Sequence, residues 1–333
     1  MSLAPTIYAY NDPGAPQLTG QAGSLISVLR AIIVTGYGNA PNAKAGLGWT
    51  EEFTATNKAV FRNNPVTGTG GYVRVLDNAS TDSGGDAYTA AMRAYSAMTD
   101  IDTGDDPAPT PAQRAKGALW LKSTSLDATN RPWWAIGNER TLYFFNVPYD
   151  GSIATSNPQF VGDLETFKPG DLHHFALSTA SFQNYFGNVS ENSTRMFYPP
   201  TTWSSGGGDN SSTALALLRG SSGAVGAKLC SQASVADASS WGYGGVDGAP
   251  YPLPVNDGLL LDRAIVLEGA YQPRGRLPGL YVPIHTQPFP DLTVVSDLSG
   301  MPAGLQLLAK RYRGYWPYND TYRGQVMFDL GEW

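Results

Sequence analysis

Residues 131–147 read RPWWAIGNERTLYFFNV. The runs RPWWAIG and RTLYFFNV are short, rich in aromatic residues and bounded by Pro, Gly and Asn, which is how β-strands are punctuated. Similar runs lie on either side. AVFRN (59–63), GYVRVLD (71–77) and GALWLKS (117–123) precede them. HFALSTASF (174–182), LALLRG (215–220), GAVGAKLC (223–230), GLLLDRAIVLEG (258–269), LTVVSD (292–297) and QVMFDL (325–330) follow. So dense a series of short strands predicts a mainly β chain, an antiparallel β-sandwich or barrel, rather than alternating βαβ units.

One helix stands out. In GSLISVLRAIIVTG (23–36), Leu25, Val28, Leu29, Ile32 and Ile33 form a single apolar stripe. Ser24 is placed to cap its start and Gly36 to end it, giving a helix over about residues 24–35 that packs on a sheet. DAYTAAMRAYSAM (86–98) and GLQLLAKRY (304–312) fit either helix or strand.

The 333 residues suffice for one large unit with a well-buried core. A weak boundary near residue 150, at PYDGSIATSNP, allows a subdivision into 1–150 and 151–333. Charged residues are 15% of the chain, against about 25% in an average domain. Its 38 glycines and 24 prolines exceed the usual shares of about 7% and 5%, so turns are many. Long loops are expected at 100–115, 199–213 and 236–257, and loops of such length usually carry function, bury against a partner or stay mobile.

Composition argues against several classes. A net charge of −6 with no basic stripe speaks against a nucleic-acid partner. The cluster Lys310, Arg311 and Arg313 reads as a solvated strand end. No apolar run reaches about 18 residues, so no membrane partner is expected. The N-terminus has neither a basic nor an apolar signal region, which predicts a soluble protein made in the cytoplasm. The single cysteine, Cys230, excludes an intramolecular disulfide and reads as a small buried apolar residue.

The chemical candidates are few. His173 and His174 sit side by side in FVGDLETFKPGDLHHFALSTASF (160–182), near Asp163, Glu165 and Asp171. A strand start after the Pro-Gly turn would point the two rings to opposite faces, so they would not share a metal. The third histidine, His285, is more than 100 residues away. DIDTGDD (100–106) resembles a calcium loop, but an EF-hand counted from Asp100 would meet Gly104 at position 5 and Pro111 at position 12. The nucleophile-elbow, phosphate-loop, zinc-protease and dinucleotide signatures are all missing. No catalytic residue, cofactor or metal ligand is assigned.

Several stretches resemble a family of tailed-bacteriophage virion structural proteins. They are NDPGAPQLTGQAGSLISVL, WTEEFTATNKAVFRN, MTDIDTG with ALWLKST, RPWWAIGNERTLYFF, FVGDLETFKPGDLHHF, RGRLPGLYVPIH and GQVMFDLGEW, in that order along nearly the whole chain. The histidine pair departs from the family pattern. The resemblance implies a non-enzymatic virion component, tail- or baseplate-associated, assembled as a homo-oligomer against other virion structural proteins. It also tips both ambiguous segments toward strand. Alternatives are a capsid decoration or head-to-tail collar protein, or a tail module that binds a host surface glycan through its aromatic residues. The interface residues expected from the long loops are Trp203, Trp241 and Tyr243.

Overall fold

The structure, a computed structural model, describes residues 3–80, 88–148, 157–179, 215–233, 251–252, 258–268, 272–283, 285, 288–313 and 323–333. The chain opens with β1 (Thr6–Ala9), then α1 (Ser24–Arg30), which continues as a π-helix over Ala31–Thr35. Next come β2 (Thr50–Ala55), β3 (Lys58–Arg62), β4 (Tyr72–Ser80), β5 (Tyr88–Tyr95), β6 (Ala97–Met98), β7 (Gly104–Asp105) and β8 (Ala118–Ser123). The central segment holds β9 (Trp133–Gly137), β10 (Thr141–Asn146), β11 (Asn157–Asp163), β12 (Glu165–Thr166), β13 (Phe175–Ser178), β14 (Leu215–Leu217) and β15 (Lys228–Ala233). The remainder is β16 (Leu261–Asp262), β17 (Ile265–Glu268), β18 (Gln272–Arg276), β19 (Leu280–Pro283), β20 (Val294–Ser296), β21 (Gln306–Arg313) and β22 (Arg323–Asp329).

The opening stretch forms the hairpin β9–β10 inside a ten-stranded sheet, ordered β1-β9-β10-β11-β13-β14-β15-β17-β18-β12. Its side chains alternate between two cores. Trp133, Ala135, Leu142 and Phe144 join one; Trp134, Ile136, Tyr143 and Phe145 join the other. A strand covered on both faces has no solvent side to keep polar, so its apolar run is continuous. The first core is completed by the helix and by the inner face of the sheet β2-β3-β4-β5-β8. The second is completed by Leu280, Val282, Leu308, Val326 and Phe328 from the sheet β16-β19-β22-β21-β20. The result is three antiparallel layers. β10 pairs with β11, so the central sheet takes strands from both sides of residue 150.

Among the described residues no closed barrel forms, yet the strand order requires the central sheet to curl. β11 and β12 are separated by Leu164 alone, while β12 sits on the far edge of the sheet, paired with β18. The strands between must therefore bend round to meet it. Gly162, with φ +135°, lies at the bend, and a Cβ there would stand 2.4 Å from the Arg140 carbonyl.

The helix occupies the expected residues, with two differences. Ser24 does not cap it: its Oγ donates to the Thr19 carbonyl, and Asp77 Oδ2, from β4, accepts the Leu25 N–H at 2.9 Å. Beyond Arg30 the ladder widens to π geometry, with the Gly36 N–H donating to the Ala31 carbonyl at 2.9 Å. The widening leaves the Ile32 and Ile33 carbonyls free for the N–H groups of Leu47 and Trp49, each at 3.0 Å.

Both ambiguous segments are strands, β5 and β21. Two expected strands are shorter or broken. GAVGAKLC pairs only from Lys228, because Gly223 and Gly226 take positive φ in a turn. GLLLDRAIVLEG divides into β16 and β17, which belong to different sheets.

Candidate functional site

Three loops converge at one end of the central sheet. The 163–174 loop leads from β11 to β13, the 218–227 loop joins β14 to β15, and the third runs through β6 and β7 to residue 117. Two charge networks hold them. Arg274 of β18, 2% exposed, donates through Nη1 to Glu268 at 2.8 Å and pairs through Nη2 with Asp171 at 2.8 Å. Its Nη2 also approaches the His173 carbonyl at 3.4 Å and the Arg219 carbonyl at 3.5 Å. Glu268 accepts the Ser221 N–H on both oxygens, at 3.0 and 2.9 Å. Asp171 accepts the His173 N–H at 3.0 Å and the Thr166 hydroxyl at 3.1 Å. Lys168 Nζ donates to the Ser221 carbonyl and so ties the first two loops directly.

The second network brings in the third loop. Arg219 donates to Asp106 Oδ2 from Nε at 2.9 Å and Nη2 at 2.7 Å, and the Ser96 hydroxyl donates to the same oxygen at 2.7 Å. Gln113 Nε2 donates to the Ala227 carbonyl at 2.9 Å. Burial works to raise the Asp106 carboxyl, but the hydrogen bonds from Arg219 and Ser96 outweigh it and hold the group below the usual carboxylate range. Burial, followed by the Arg219 charge, holds the His173 imidazole below its ordinary value, against the opposing pull of Asp106 and Asp171.

These contacts revise the expectation for the histidine pair. Both residues precede β13 instead of starting it. His173 faces the Asp106–Arg219 pair, and His174 Nδ1 lies 2.5 Å from the Asp171 carbonyl oxygen. His285 is buried elsewhere, where its Nε2 accepts the Leu260 N–H at 2.9 Å and its ring stands edge-on to Tyr251. Among the described residues, no group of three or more His, Cys, Asp or Glu side chains could hold a metal ion.

The carboxylates of DIDTGDD are turned to separate partners. Asp100 Oδ1 accepts the N–H groups of Asp102 and Thr103 at 2.8 and 2.9 Å. Asp102 pairs with Lys58 at 2.7 Å and Arg74 at 3.0 Å, while Asp106 serves Arg219. Lys310 is not part of a solvated strand end. It is 7% exposed, pairs with Asp291 at 2.7 Å, and holds its Nζ 5.7 Å from the Trp134 ring centre. Cys230 is buried in the second core, and that burial pushes its thiol up to about 12.

Chemically, the junction is a clamp. Asp106, Asp171 and Glu268 are each held by an arginine and by at least one hydroxyl or backbone N–H donor. Among the residues it presents to solvent, beside Lys168 and Ser222, are three large apolar ones: Phe167 is 47% exposed, Leu172 76% and Val225 81%. Sequence reasoning missed this junction because Asp106, Asp171, Arg219, Glu268 and Arg274 are spread over nearly 170 positions. Trp203, Trp241 and Tyr243 lie outside the described residues. No protein-family model matches the chain, and no curated protein matches it.

Proposed function

We propose that this chain is a non-enzymatic structural component of a tailed-phage virion, tail- or baseplate-associated, that works by self-association and by docking to neighbouring virion proteins. The observation that carries the reading is the ordered series of phage-like motifs. The junction adds support, because Leu172 and Val225 stand in solvent on loops bolted down by Arg274 and Lys168. Large apolar side chains on a rigid, exposed frame suit a protein that buries them against another copy.

The test is mass spectrometry of purified particles together with sedimentation of the isolated chain. The protein is expected in the virion and as an oligomer. The variant Leu172→Asp with Val225→Asp is expected to sediment as a smaller species with unchanged circular dichroism. Absence from particles overturns the virion role. A monomeric wild type overturns self-association.

A further inference from the structure

The sheet β2-β3-β4-β5-β8 has a second face, turned away from the first core, and the strand register concentrates cations on it. Val60, Arg74 and Arg93 are directly paired, as are Arg62, Tyr72 and Tyr95. Paired residues share a face, and so do residues two apart on a strand. Lys58, Arg62, Arg74 and Arg93 therefore lie on one face with Tyr72 and Tyr95; Met98 of β6 and Ile101 of the following turn pack over Val60 and Tyr95 at its centre, so the cations are reached from the rim of that cover. No basic stripe is visible in the sequence; the register assembles one. Arg74 and Arg93 stand directly opposite each other, an arrangement that is unfavourable unless something offsets the repulsion.

What offsets it is sparse. Among the described residues, Asp102 is the one carboxylate paired with these four cations, bridging Lys58 Nζ and Arg74 Nη1. Arg62 instead donates to the Gly70 carbonyl at 3.1 Å, with its guanidinium 4.9 Å from the Tyr72 ring centre. Arg93 donates to the carbonyls of Arg114 and Ala115. Arg74 Nε and Arg93 Nε are buried N–H donors without a hydrogen-bond partner. Lys58 and Arg74 retain 22% and 16% side-chain exposure, whereas Asp102 is 54% exposed on the turn between β6 and β7.

Asp102 is thus a weakly held occupant of a carboxylate site. An ion pair so exposed contributes little net free energy, so a competing carboxylate can replace it. Arginine forks match carboxylates in geometry, and the partly exposed Tyr72 ring beside Arg62 supplies flat apolar contact for an adjoining residue of a peptide. We propose that this face docks an acidic peptide segment of a partner protein, whose carboxylates displace Asp102 from between Lys58 and Arg74. A short acidic segment is favoured over a nucleic acid because Arg93 is buried, Lys58 and Arg74 are mostly so, and the whole chain carries −6. The inference does not depend on the virion reading, since it is tested on the isolated protein.

The experiment is fluorescence anisotropy of a labelled oligoglutamate peptide against the full chain at low salt, with single-stranded DNA and a neutral peptide as controls. Wild type is expected to bind the acidic peptide in a salt-sensitive manner. Asp102→Asn is expected to bind it several-fold more tightly, and Lys58→Gln several-fold more weakly, each with an unchanged melting temperature. Arg74→Gln should weaken binding further, and Lys58→Gln carries the test if that variant folds poorly. No binding by wild type and Asp102→Asn, or binding indifferent to Lys58→Gln, overturns the proposal. Tighter binding of DNA than of oligoglutamate also overturns it and marks the face as a nucleic-acid surface.

Discussion

Asn138 and Trp333, 195 positions apart, are joined by a hydrogen bond of 2.6 Å from the Asn138 amide to the Trp333 carbonyl. The same amide donates to the Leu3 carbonyl at 3.1 Å, and its Oδ1 accepts the N–H groups of Arg140 and Thr141 at 3.0 and 3.1 Å. One buried side chain therefore shapes the β9–β10 turn and pins two distant segments to it. Asn138→Ala should cost about 1–3 kcal/mol, because it strands a buried N–H at Thr141 and two carbonyls. Asn138→Asp keeps the acceptor and loses the donors, so it should release Leu3 and Trp333 while leaving the turn intact. Urea unfolding of both variants, with hydrogen exchange at the N-terminal strand and at β22, separates the two roles.

Asp77 and Lys122 form an ion pair of 2.6 Å with side-chain exposures of 0% and 1%. Asp77 also caps the helix through Leu25, and Lys122 reaches the Gln21 carbonyl and, at 3.3 Å, the Ser24 hydroxyl. Burial lowers the Lys122 ammonium pKa, and Asp77 opposes that shift. Asp77→Ala leaves a buried cation unpaired and an uncapped N–H, and should cost about 3–5 kcal/mol. Adding Lys122→Met removes the stranded charge, so the double variant should be more stable than Asp77→Ala alone. A double-mutant cycle by urea unfolding reads the coupling; strict additivity would show that the pair does not act as a unit.

Gly71 marks where two layers touch. A Cβ there would lie 2.4 Å from the Phe175 ring, in the core between the β4 sheet and the central sheet. Gly71→Ala should therefore destabilise by about 1–3 kcal/mol through overpacking. Phe175→Leu made in the Gly71→Ala background should recover part of that loss if the clash is with the ring. Thermal unfolding of the two single variants and the double variant tests the contact.

How much of this was legible follows from how local each signal is. The helix was visible because Leu25, Val28, Leu29, Ile32 and Ile33 repeat within a dozen residues. The β9–β10 strands were visible because burial on both faces leaves an unbroken apolar run. The cap at Asp77 was not, because its partner Leu25 is 52 positions away and Ser24 offered a closer, more conventional choice. The basic face was hidden for a related reason. Lys58, Arg62, Arg74 and Arg93 sit on three strands, and only the register reveals that they share a side. GAVGAKLC misled because glycine tolerates strand and turn alike, and Gly226 at φ +110° chose the turn. The junction itself consists of long-range pairs with no pattern inside any one segment.

Acid should loosen the junction in two steps, through His173 and then Asp106. His173 has its folded value lowered from 6.5, so below that pH the unfolded chain takes up a proton that the folded chain resists. Its contribution to stability is therefore complete above 6.5 and is lost as pH falls from there toward the lowered value. Asp106 is depressed from 3.8, so its contribution is present above that value and is lost as pH falls through the lower folded value. The two groups act in the same direction in separate windows. Wild-type melting temperature should drop first below about pH 6.5 and again below about pH 4. His173→Gln should flatten the first drop and leave the second. Asp106→Asn should lower stability at neutral pH, by losing the Arg219 pair, and make the second drop shallower without abolishing it, because Asp12, Asp100 and Asp127 are also held below 3.8. Melting curves of the three proteins from neutral to acid pH check the assignment, and a first drop that survives His173→Gln would move its origin away from the junction.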